Sequence, residues 1–152
     1  MSHEQLANAA WMISRDHGPW FDVIPGEVMR VRVHAGDVGG RYTIVESISQ
    51  PMAGPPLHVH REDEVICVNE GQLTFVVNGA RVEGGPGTIV VIPAGVEHAW
   101  RNTGDGPARY VAVFTPGGIE GLLSTMAQTP PDALPQLAAR FGSAVTGPPI
   151  AE

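Results

Sequence analysis

Residues 54–71 read GPPLHVHREDEVICVNEG, and the spacing of the ligand-bearing side chains in this stretch decides the fold. His58 and His60 stand two apart, Glu64 comes four residues later, and Gly71 closes the stretch at a turn. Side chains two apart on a strand point to one face, so both imidazoles can aim at a common point. A small kink in the backbone lets Glu64 join them. Two neutral nitrogens and one carboxylate on one face suit a divalent transition metal. Alone, the His-x-His pattern equally describes a half-buried strand whose histidines bond to their neighbours.

The context comes from residues 87–102, GTIVVIPAGVEHAWRN. They read as an apolar strand, a Pro-x-Gly turn at Pro93–Gly95, and a second strand that opens with His98, a fourth candidate ligand.

The two patterns together resemble the cupin family. Its first motif, HxH, three residues, Glu, six residues, Gly, is met by His58, His60, Glu64 and Gly71. Its second, G-x5-P-x-G-x2-H-x3-N, is met by Gly87, Pro93, Gly95, His98 and Asn102. One position departs: the glycine usual six residues before the first His is Met52 here, with Gly54 two later. The resemblance implies that His58, His60, Glu64 and His98 hold one divalent metal ion. It also implies an all-β fold, a cupin-type antiparallel β-barrel (a double-stranded, jelly-roll-like β-helix), and a homodimer. Softer matches at 39–42 (GGRY), 55–60 (PPLHVH) and 114–123 (FTPGGIEGLL) resemble the branch of small cupins likened to quercetin 2,3-dioxygenase.

Size and composition agree with one small barrel. The chain has 152 residues, 43% of them hydrophobic, enough for a single domain with a real core. Nineteen glycines and fourteen prolines suit many short strands joined by tight turns. A net charge of -7 argues against a nucleic-acid partner. No apolar run approaches the roughly 18 residues that span a bilayer, and the first residues lack the order of a secretory signal. The one cysteine, Cys67, leaves no internal disulfide and fits a reducing compartment, so a cytoplasmic protein is expected. All nine basic residues are arginine; without lysine, Schiff-base chemistry and pyridoxal-phosphate attachment are excluded.

In chain order, residues 1–26 are expected to form an N-terminal segment. Its first part, 2–13, reads as a short helix with Leu6, Ala9, Ala10 and Ile13 on one side. Residues 27–116 are the barrel, with strands at 27–33, 42–49, 64–69, 73–77, 81–83, 88–92, 98–102 and 108–115 besides the histidine strand. Asn78-Gly79 is the strongest hairpin signal. Residues 117–152 read as a helical extension. It has helices at 119–126 and from Thr129, an N-cap with Pro130 at the first helical position, to Phe141, followed by Gly142 as left-handed cap. The tail GPPIAE is expected to be extended. Without βαβ alternation, a parallel sheet is disfavoured.

Strand parity names the pocket candidates. If Glu64 points inward, so do Ile66 and Val68, and Cys67 points away. If His98 points inward, Trp100 does too, and Phe75 is the choice for a second cavity wall. Tyr42, Ile44, Glu46 and Ile48 share one face and Arg41, Thr43, Val45 and Ser47 the other. Were the first face inside, Glu46 would be a buried second carboxylate and Tyr42 a pocket residue. Glu62 and Asp63 read as a solvated acidic turn, although either could orient a ligand histidine.

Three histidines and a carboxylate leave open positions on a five- or six-coordinate ion, and Fe, Mn, Ni, Co, Cu and Zn all accept such ligands. No organic cofactor motif is present. The first functional expectation is a metal-dependent dioxygenase for a small aromatic or enolic substrate, with Glu64 taking the substrate's proton as the family resemblance implies. The alternatives are a non-oxidative metal-assisted isomerase, lyase or hydrolase, and a non-enzymatic small-ligand-binding barrel.

Overall fold

The computed structural model of the chain describes residues 3–5 and 10–151. Thirteen strands are described: β1 (His3–Gln5), β2 (Trp11–Ile13), β3 (Phe21–Ile24), β4 (Glu27–Val33), β5 (Thr43–Ser49), β6 (Pro56–His60), β7 (Asp63–Glu70), β8 (Leu73–Val77), β9 (Ala80–Gly84), β10 (Ile89–Ile92), β11 (His98–Asn102), β12 (Ala108–Thr115) and β13 (Ser143–Pro149). They build a six-stranded sheet in the order β10-β7-β12-β5-β4-β3 and a five-stranded one in the order β13-β6-β11-β8-β9, all pairs antiparallel. Among the described residues, β1 and β2 form a separate two-stranded sheet. The fold is the all-β, cupin-type antiparallel architecture expected from the sequence.

Alternation does the sorting. Along β5 the inward residues are Thr43, Val45, Ser47 and Ser49, and along β12 they are Ala108, Tyr110, Ala112 and Phe114. With Ile66, Val68, Leu73, Phe75, Ile92 and Trp100 they fill the space between the sheets. Polar turns then set the register. Asn78 (φ 49°) and Gly79 (φ 80°) both occupy the left-handed region, as a two-residue hairpin turn requires. Asn102 is fully buried and pins two loops: its Nδ2 donates to Ser49 O and Gly106 O, both at 2.9 Å, and its Oδ1 accepts from Gly104 N at 2.9 Å.

Several expectations are corrected. The helix expected over 2–13 is a hairpin where it is described, with His3 opposite Ile13; Leu6 and Ala9 lie outside the described residues. The second C-terminal helix spans only Leu134–Arg140 (α2), with Pro135 in its first turn. Thr129 and Pro130 precede it as loop, although Gly142 does take a left-handed conformation (φ 73°). The region of 119–126 divides into α1 (Glu120–Leu123) and a 3-10 turn at Met126–Gln128. The last segment is more than extended: β13 pairs with β6, placing Ser143 opposite His60 and Val145 opposite His58.

Candidate metal centre

β6 and β11 lie side by side with His98 opposite His58, and β6 carries His60 two residues on. One nitrogen from each of His58, His60 and His98 falls within 4.8 Å of the others. Ring centroids are 4.2 Å apart for His58–His98, 4.8 Å for His60–His98 and 5.7 Å for His58–His60. β7 brings Glu64 in from the other sheet, almost wholly buried. Its Oε1 lies 3.0 Å from His60 Nε2 and 3.2 Å from His98 Nε2.

The protons on the rings are set by the backbone. Each Nδ1 faces a carbonyl oxygen two residues away: His58 to Pro56 at 2.8 Å, His60 to Glu62 at 3.1 Å, His98 to Val96 at 2.8 Å. A carbonyl only accepts, so these contacts place the proton on Nδ1 and leave Nε2 with a free lone pair. On His60 and His98 that lone pair then faces an equally electron-rich carboxylate oxygen. A cation between them removes the conflict, and metal-bound histidines commonly donate their other nitrogen in this way. Ligand bonds of about 2.1 Å at right angles separate neighbouring donors by about 3.0 Å, matching the Glu64 contacts. The residues present therefore fit a divalent metal.

Without a metal, the carboxylate and the imidazoles bias one another's protonation. Burial pushes the Glu64 carboxyl upward, but the His60 and His98 contacts outweigh it and hold it at about 2. Burial also opposes charge on His60, yet its bond to Glu64 raises its pKa above the ordinary value. Burial, followed by repulsion from His98, pushes His58 down to about 4.

Of the sequence-named residues, Trp100 lies beside the cluster, its ring 5.9 Å from His58 and 6.4 Å from His98. Ile66, Val68 and Phe75 are buried in the interior, with Phe75 opposite Trp100 in the β8–β11 ladder. Glu46 and Tyr42 are corrected. Glu46 lies on the outward face of β5, where Arg30 Nε donates to its Oε1 at 2.7 Å; Tyr42 precedes that strand, half-buried, outside the interior set. The inner row is the one with Thr43 and Val45, because the ladder to β12 puts those positions against the core. Glu62 is also corrected. It is 2% exposed, and its carbonyl is the one that orients His60. Asp63 accepts from Ala94 N at 2.8 Å. Sequence reasoning missed Phe114, whose ring is 5.8 Å from His60, and Glu27 with Tyr110 deeper inside. The signal was there in parity: Glu27 shares its face with Met29 and Val31, and Tyr110 with Ala112 and Phe114.

Comparison with known proteins agrees with this geometry. Residues 45–114 match the cupin domain family Cupin_2. An RmlC-like cupin from Shewanella frigidimarina superposes with a TM-score of 0.64 at 16% identity, covering 80% of this chain and 99% of that one. A sugar phosphate isomerase of the cupin superfamily from Silicibacter pomeroyi superposes with a TM-score of 0.57 at 26% identity, covering 68% and 74%. The endoribonuclease YbeY of Myxococcus xanthus is 31% identical over 74 residues, which are 49% of this chain but only 25% of that protein. The chain thus spans about a quarter of the length of that curated relative. Motif spacing, antiparallel topology, three converging imidazoles and the match over residues 45–114 together support a cupin domain within this chain.

Proposed function

We propose that the protein is a metal-dependent cupin enzyme of the dioxygenase kind, acting on a small aromatic or enolic substrate. The observation that carries the reading is the meeting of three Nε2-directed imidazoles with a buried carboxylate from the opposite sheet. His58, His60, His98 and Glu64 would hold the ion. When bound, it supplies Lewis acidity at the substrate oxygen and, if redox-active, one-electron chemistry. Glu64 has a second oxygen, Oε2, buried and without a hydrogen-bond partner among the described residues. That oxygen is free to hold the proton of an enol or phenol. Trp100 and Phe114, packed against the imidazoles, keep water from that proton.

A second reading is non-oxidative isomerisation or elimination, favoured by the likeness to the sugar phosphate isomerase. One experiment separates the two. The purified protein, loaded in turn with Fe(II), Mn(II), Ni(II) and Zn(II), is offered a panel of enols, phenols and keto sugars with and without oxygen. Oxygen uptake coupled to product supports the dioxygenase; turnover with Zn(II) under strict anaerobiosis replaces it with the second reading. Glu64→Gln is expected to lower kcat by about 100-fold or more, as removal of a general base does.

A further inference from the structure

The interior holds a second polar cluster that metal ligation does not use. Glu27 opens β4 on its inward face and is 2% exposed. Its Oε1 accepts from Ser47 Oγ at 2.8 Å and from Tyr110 OH at 2.9 Å. Its Oε2 is equally buried and has no hydrogen-bond partner among the described residues; the same holds for the indole Nε1 of Trp100. The Trp100 indole lies near the Glu27 carboxyl and favours its charged form, although no hydrogen bond closes between the two side chains. Trp100 also packs edge-on against Tyr110, ring centroids 5.6 Å apart, while its other side faces His58 and His98. The indole therefore joins the metal centre to the Glu27 cluster.

A buried N–H and a buried carboxyl oxygen left unpaired are costly, and native interiors rarely keep such groups empty of a partner. A hydroxyl satisfies both, accepting from the indole and bonding to the carboxyl in either protonation state. We propose that Glu27 Oε2 and Trp100 Nε1 bind a hydroxyl of the substrate, which therefore carries at least two oxygen functions, one for the metal and one for this pair. Burial, against the opposing hydroxyl donors, raises the Glu27 pKa, which fits a carboxyl able to donate as well as accept. The inference rests on the metal-centred reading above and narrows its substrate class to polyhydroxylated small molecules.

The test uses zinc-loaded protein titrated with phenol, resorcinol and hydroquinone. At least one of the two diols is expected to bind about tenfold more tightly than phenol, the value of one added buried hydrogen bond. In Glu27→Gln and in Trp100→Phe the diol-to-phenol ratio is expected to fall toward one. Circular dichroism and zinc content verify that each variant is folded and loaded. A ratio near one in the wild type, or a ratio that survives both substitutions, overturns the proposal and leaves the cluster holding water. Failure to retain zinc would overturn the metal reading separately. In that case difference infrared spectra of the metal-free protein decide: a carboxyl band that is missing in Glu27→Gln and shifts on adding the diol supports the inference, and an unmoved band ends it.

Discussion

At His58, His60 and His98 one device is used three times: a main-chain carbonyl two residues away takes the Nδ1 proton and turns Nε2 toward the centre. Replacing any of the three by Gln removes a ligand and is expected to weaken metal binding by more than about 100-fold, read by elemental analysis after dialysis. His58 also carries a pH signature in metal-free protein. Its pKa falls from 6.5 to about 4, so the folded state resists a proton that the unfolded chain accepts. Folding stability is therefore lost as pH drops through that window, by at most about 1.4 kcal/mol per pH unit before solvent screening. With chelator present, the thermal midpoint of the wild type should fall from pH 7 to pH 4 relative to that of His58→Gln. Met52 offers a different residue-scale test. It stands where the family resemblance expects glycine, and its φ of 75° is the left-handed conformation that glycine adopts freely. Its side chain is half exposed, 52%, so little packing is lost on removal. Met52→Gly should stabilise the protein by about 0.5–1 kcal/mol in denaturant titration, strain relief exceeding the added chain entropy.

At the scale of elements, β6 is held on both sides, by β11 and by β13. The approach to it passes so near β11 that a Cβ on Gly54 would sit 2.0 Å from Trp100 O and 2.9 Å from Arg101 Cα. Gly54→Ala should therefore displace the histidine strand, costing about 3 kcal/mol and weakening metal binding together. β13 was not legible as a strand because Ser-Ala-Val-Thr-Gly-Pro-Pro lacks alternation and carries two prolines. It is an edge strand, where missing N–H donors are tolerated, and pairing rather than burial defines it. A chain truncated after Gly142 should leave β6 with an unpaired edge and show a lower thermal midpoint and looser metal binding. The N-terminal hairpin escaped for a similar reason: Leu6, Ala9, Ala10 and Ile13 mimic a helical stripe, while Trp11–Ile13 is set by its partner strand.

For the whole molecule, the outward face of the six-stranded sheet carries an apolar row, Val91, Val65, Val113 and Ile44, in register across β10, β7, β12 and β5. Ile89 and Val91 are 63% and 65% exposed. The homodimer implied by the family resemblance remains a proposal, and light scattering should return twice the chain mass if it holds. The architecture and the four side chains that meet at the centre were readable in advance because they are written as local spacing. Two-residue alternation, turn residues and the positions of His58, His60, Glu64 and His98 act through the pleat of the strand itself. Only the tertiary structure decided which face of β5 is inside, that Glu62 is buried, and that Glu27 and Tyr110 meet beneath Trp100. Those facts depend on which strands become neighbours across a sheet, a pairing between residues 83 apart that no short window of sequence records.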